Sequence, residues 1–186
     1  MRLDPHSVAD LTQGAVVAVD LSWTVDFQRR VLSGRAELTL NDARSGPLDL
    51  DTRGLLIHEV TDGSGRALAF DIGPPDPVMG RFLRVHRPDS IDRIRVEYET
   101  GPDASALMWL APAQTAGGLH PFLLTQCQAI HARSIVPLQD TPKARIRYHA
   151  AVVVPEALSA VMSAAPGEAE PGPIEGTRTL RFEMPQ

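Results

Sequence analysis

The chain has 186 residues, which at about 150 residues per domain is one domain with a modest extension. Its 18 basic and 23 acidic residues give a net charge of −5, the opposite of the basic balance of a nucleic-acid binder. With 43% hydrophobic and 22% charged residues it can bury a core, which excludes disorder of the whole chain.

The N-terminal run MRLDPHSVAD carries acids and a proline where a signal peptide would place an apolar stretch. Period-two patterning then takes over. In Ala15–Phe27, Val17, Val19, Leu21, Trp23 and Val25 fall on one face, predicting a half-buried strand. Val31–Asn41 repeats the pattern through Ala36, Leu38 and Leu40, and Asp42–Pro47 reads as a turn. Leu48–Leu50 and Leu55–Val60 read as short strands, and Asp62-Gly63-Ser64-Gly65 is a hairpin signal. Ala67–Ile72 and Arg81–His86 follow on either side of the breaker GPPDPVMG, and Ile91–Thr100 is a further strand. Phe122–His131 has room for a short helical turn, Ala144–Val154 reads as a long strand, and Pro155–Ala164 as one or two helical turns. Pro166–Gly176 is a polar loop and Thr177–Met184 the last strand. Turn signals recur roughly every ten residues, supplied largely by the 14 glycines and 16 prolines. Many short strands so punctuated predict an all-β, mainly antiparallel sandwich or open barrel-like sheet with little helix.

No window reaches the roughly 18 consecutive apolar residues of a membrane-spanning helix, so no membrane partner is expected. The lone cysteine, Cys127, allows no intramolecular disulfide and fits a reducing, cytoplasmic setting. His58-Glu59 lacks the second histidine of a zinc helix, because position 62 is aspartate and the segment reads as strand. The other histidines show no pairwise metal spacing. Cys127 has no cationic neighbour in sequence and reads as a small buried hydrophobe, with a nucleophile paired to His131 as the alternative. Gly117-Gly118 reads as a turn.

The segment Leu107–Lys143 departs in composition from the strands and reads as a long, functional loop. Gln126 and Gln128 share a face if it is extended. A glutamine carbonyl accepts from an ammonium group and its amide donates to a carbonyl; equally, both carboxamides can serve only to satisfy loop backbone. From chemistry alone both readings stay open.

Within this segment Trp109-Leu110-x-Pro112-x-Gln114-Thr115, His120-Pro121-Phe122, Gln126-Cys127-Gln128-Ala129-Ile130-His131, Arg133–Pro137 and Gln139-Asp140-Thr141-Pro142 form an ordered block. It closely resembles the N-terminal domain of the M1 zinc aminopeptidases, in the leukotriene hydrolase and aminopeptidase B branch. Val154–Ser163 and the closing Phe182-x-Met184-Pro185-Gln186 agree, so the resemblance covers essentially the whole chain. It departs at Leu138, where many relatives carry cysteine, a change expected to affect packing alone. The resemblance implies a saddle-like β domain that caps a separate thermolysin-like catalytic domain. It implies that Gln128 binds the α-amino group of a peptide substrate, with Ala129 lining the pocket and Gln126 nearby. Glutamine where many relatives have glutamate points to the leukotriene hydrolase branch.

The family's His-Glu-x-x-His and Gly-x-Met-Glu-Asn motifs do not occur here, and Tyr98 and Tyr148 lie in strand patterns. The expectation is therefore an N-terminal domain without catalytic or metal-ligating residues and inactive alone. Zinc would be held by a catalytic domain following residue 186, which would be its partner. An apolar patch should then be exposed beside the Gln126–His131 loop. The other readings are a free-standing binding module on the same fold and a hydrolase using Cys127.

Overall fold

The computed structural model describes residues 4–185; Met1–Leu3, which open the N-terminal reading, and Gln186, which closes the resemblance, lie outside them. Strands dominate: β1 (Val16–Asp26), β2 (Val31–Thr52), β3 (Leu56–Asp62), β4 (Phe70–Ile72), β5 (Arg81–Glu99), β6 (Leu107–Leu110), β7 (Phe122–Thr125), β8 (Arg147–Pro155), β9 (Ala165–Pro166), β10 (Glu170–Pro171) and β11 (Thr177–Met184). Among the described residues, nine of them form one sheet in the order β10-β11-β8-β1-β2-β5-β3, with β4 also on β5 and β9 also on β11. The pairing is antiparallel except between β1 and β8, which run parallel from Ala18↔Arg147 to Thr24↔Val153. Strands β6 and β7 make a separate antiparallel hairpin.

The period-two reading locates the core. Ala36, Leu38 and Leu40 on β2 and Ile94, Val96 and Tyr98 on β5 are buried, joined by Val19 and Trp23 from β1. Each fully buried aliphatic side chain contributes about 1.5–3 kcal/mol of transfer free energy. Cross-strand pairs such as Ala36↔Val96 and Leu38↔Ile94 set the register, because a one-residue slip would turn this face to water.

Four local expectations are corrected. Asp42–Pro47 is not a turn between strands: β2 runs through it, with register shifts between Thr39 and Arg44 and between Arg44 and Gly46. The extra residues are taken up as a bulge, where Gly46 adopts φ +89°, a conformation that suits glycine. Arg81–His86 and Ile91–Thr100 are likewise one strand, β5, facing that bulge. Phe122–His131 is not helical: Phe122–Thr125 pairs with Leu107–Leu110, and the helical geometry that does occur is a 3-10 turn at Ala132–Ser134. Pro155–Ala164 holds no helix. Its half-buried residues Leu158, Ala160, Met162 and Ala164 alternate with exposed Ser159, Val161 and Ser163, a period of two rather than 3.6. The polar loop Pro166–Gly176 contributes two-residue edge pairings to β11.

Candidate functional site

The segment expected to be a long loop is half hairpin. In β6–β7 the pairs Met108↔Leu124 and Leu110↔Phe122 alternate with Trp109↔Leu123. Trp109 and Leu123 turn inward onto the core, and Trp109 meets Phe27 edge-on at 5.5 Å. Met108, Phe122 and Leu124 turn outward and stay 55%, 50% and 46% exposed. An apolar face therefore lies beside the Gln126–His131 loop. Gly117 and Gly118 both have positive φ, so the hairpin's connection turns where the glycine pair allows it.

The Gln126 N–H donates to the Ala106 carbonyl (2.9 Å), and the chain then leaves the sheet. Gln126, Gln128 and Ala129 are exposed, while Cys127 between the two glutamines is half-buried against the core. The Gln128–Ala129 peptide bond is cis. Among the described residues neither glutamine carboxamide has a protein hydrogen-bond partner. Among the described residues, then, they do not satisfy loop backbone.

The chain turns back directly below this tip. The His131 N–H donates to the Cys127 carbonyl (2.8 Å), and the Ser134 N–H to the His131 carbonyl (2.9 Å). The Ser134 hydroxyl also reaches the His131 carbonyl and accepts from the Ala106 N–H (2.9 Å). His131 Nδ1 lies 2.8 Å from Ser105 Oγ. Its ring is thus engaged with serine, and burial, aided by the charge of Asp140, pushes the Cys127 thiol pKa up. That is the wrong direction for a nucleophile.

Below the turn lies a buried polar hub that sequence reading did not find. Arg133 is fully buried. Its Nε donates to Asp140 Oδ2 (2.9 Å), Nη1 to the Met79 carbonyl (3.0 Å) and Nη2 to the His6 carbonyl (2.7 Å). Nη1 also lies 3.4 Å from Asp51 Oδ1. Asp51 accepts from the Ser7 hydroxyl (2.5 Å), the Val8 N–H (2.9 Å) and the Asp140 N–H (3.0 Å). Desolvation pushes its pKa up, against these hydrogen bonds and the arginine. Leu138 is half-buried against the core, and its backbone bridges Asp51 with bonds of 2.7 and 3.3 Å. Nearby, the Gln139 carboxamide donates to the Gly14 carbonyl (2.8 Å) and accepts from the Val16 N–H (2.9 Å). The Tyr98 hydroxyl accepts from Trp23 Nε1 (2.7 Å) and donates to the Ile135 carbonyl (2.8 Å). Apart from the turn residues, then, Arg133, Gln139 and Asp140 anchor the segment to the sheet.

His58 and Glu59 are exposed on β3 rather than on a helix. Among the described residues no group of three or more His, Cys, Asp or Glu side chains is arranged to hold a metal ion.

Comparison with known proteins gives one consistent answer. The model of the Peptidase M1 N-terminal domain family matches residues 18–186. Leukotriene A-4 hydrolase of Xenopus laevis is 37% identical over 168 residues, covering 87% of this chain and 27% of that protein. Leucine aminopeptidase 2 of Aspergillus oryzae is 31% identical over 147 residues, covering 75% of this chain and 24% of that protein. The structure of yeast LTA4 hydrolase in complex with bestatin superimposes with a TM-score of 0.80 at 27% identity, over 98% of this chain and 28% of the other. The all-β fold is that of the leukotriene hydrolase N-terminal domain. The chain spans about a quarter of the length of the curated relatives it matches.

Proposed function

This chain belongs to the peptidase M1 N-terminal domain family, and from that premise we propose that it is the substrate-capping domain of a zinc-dependent aminopeptidase. In this reading Gln128 receives the α-amino group of a peptide, with Gln126 and Ala129 beside it. The observation that carries it is the pair of exposed glutamine carboxamides without protein partners among the described residues, held on a turn that continues into buried, hydrogen-bonded Arg133 and Ser134. An ammonium group offers only donors, and the carboxamide oxygen is the acceptor it needs. A fixed anchor for the terminal amine sets how far the scissile carbonyl lies from the reacting centre, which is worth more than affinity alone.

The partner is the remaining, catalytic part of a longer protein. The exposed face of Met108, Phe122 and Leu124 beside the loop supports such a contact. Zinc and the groups that hydrolyse the peptide bond belong to that part, since this chain has no three-ligand cluster among its described residues.

Supplied with zinc and an aminoacyl-anilide, this chain alone should give no turnover; chelator-sensitive turnover would overturn the reading. In the longer protein, Gln128→Ala should weaken peptide substrates, read as a raised KM, more than it disturbs bound zinc. A matching loss of zinc would instead make Gln128 a structural residue.

A further inference from the structure

Residues Asp4–Ala9 precede the sheet and pair with no strand, yet Ser7 and Ala9 are buried. Their hydrogen bonds to the rest of the chain go to two places. The Ser7 hydroxyl and the Val8 N–H donate to Asp51. The His6 carbonyl accepts from Arg133 and the Asp4 carboxylate from the Thr141 hydroxyl (2.8 Å). The arm is thus tied to the end of β2 and to both sides of the segment 133–141. Arg133 sits four residues after Ala129, within the bonded turns that run from Cys127 to Ile135. Chain held by successive main-chain bonds transmits a shift of its base to its tip.

We infer that the N-terminal arm is a strap that sets the position of the Gln126–Ala129 tip, with Ser7 and Arg133 as its positioning residues. Ser7 holds Asp51, Asp51 and the His6 carbonyl hold Arg133, and Arg133 holds the turn that presents the glutamines. The ligand consequence rests on the amine-anchoring reading above; the mechanical link does not. For an anchor of this kind a displacement of about 1 Å is enough to cost on the order of 100-fold in rate.

Hydrogen exchange on this chain tests the link. In Ser7→Ala the amides of His131 and Ser134 should exchange at least about tenfold faster than in the unaltered chain, while Leu38 and Val96 in the sheet keep their rates. Unchanged exchange at His131 and Ser134 in a folded variant overturns the strap. Should Ser7→Ala not fold, Thr141→Val, which removes the arm's bond at Asp4, must give the same localised acceleration or the proposal fails. In the longer protein Ser7→Ala should lower kcat and raise KM for peptides with bound zinc unchanged. Loosened turns with unchanged kcat and KM would uphold the strap and overturn the amine-anchoring reading.

Discussion

The paired halves of β2 and β5 and the segment from Leu107 to Pro142 are held by different means. Leu38, Leu50, Leu83, Val85, Ile94 and Val96 interlock as apolar side chains with no polar group to satisfy. The segment is instead held by Arg133, Gln139, Asp140 and the Tyr98 hydroxyl, each buried or partly buried and each bonded across long sequence separations. Apolar packing is non-directional and tolerates changes of shape at constant volume. A buried polar hub is directional, and loss of one member strands the others away from water. The Gln126–Ala129 tip thus stands on the more brittle of the two regions, which holds it in one place rather than merely holding it.

Variants on either side break or sharpen this contrast. Arg133→Ala leaves Asp51 buried without its cation and should destabilise the chain by about 3–5 kcal/mol in denaturant unfolding; a loss below about 1 kcal/mol would mean that water enters and rescues the hub. Tyr98→Phe removes one oxygen and strands both the Trp23 N–H and the Ile135 carbonyl. It should cost about 1–3 kcal/mol, measured the same way, although the two rings have nearly the same shape. Leu38→Met, at an equally buried position of β2, should cost less than about 1.5 kcal/mol. If it exceeds Tyr98→Phe, the distinction between the two regions fails.

The smallest effect is a titration on the sheet side. Bonds from the Ser64 hydroxyl, the Ser64 and Arg66 N–H groups and the Arg66 guanidinium hold the Asp62 pKa at about 2, against an ordinary 3.8. A folded pKa below the unfolded one means that the contribution is fully present above 3.8 and is lost as pH falls through about 2. Carboxyl NMR should report that midpoint, and the stability gap between the unaltered chain and Asp62→Asn should close in acid. A midpoint near 3.8 would show the hairpin turn to be open.

Much of the sheet was legible because its signal is local. The alternation of Ala36, Leu38 and Leu40 and of Ile94, Val96 and Tyr98 is a property of neighbouring residues, and one buried face reads out as period two, whereas β1 shifts register between Val16 and Ala18 and buries Val16 and Ala18 in place of Val17. The bulge that makes Val31–Thr52 one strand was not legible, since Asp, Ser, Gly and Pro suit a bulge as well as a turn and the choice falls to the opposing strand. Pro155–Ala164 was misread because alanine and leucine favour helix, whereas the neighbouring sheet rewards an extended run.

The same division holds at the site. Residue order alone singled out Gln126, Gln128 and Ala129, through a resemblance carried by a contiguous block. Only the tertiary structure decided that the two carboxamides have no protein partner among the described residues and that Arg133, a few residues on, is fully buried. Ser7, Asp51, the Met79 carbonyl and Arg133 are tens of residues apart in the chain. No periodicity links them, and a buried charge can choose its partners only after the sheet has brought them within hydrogen-bonding distance.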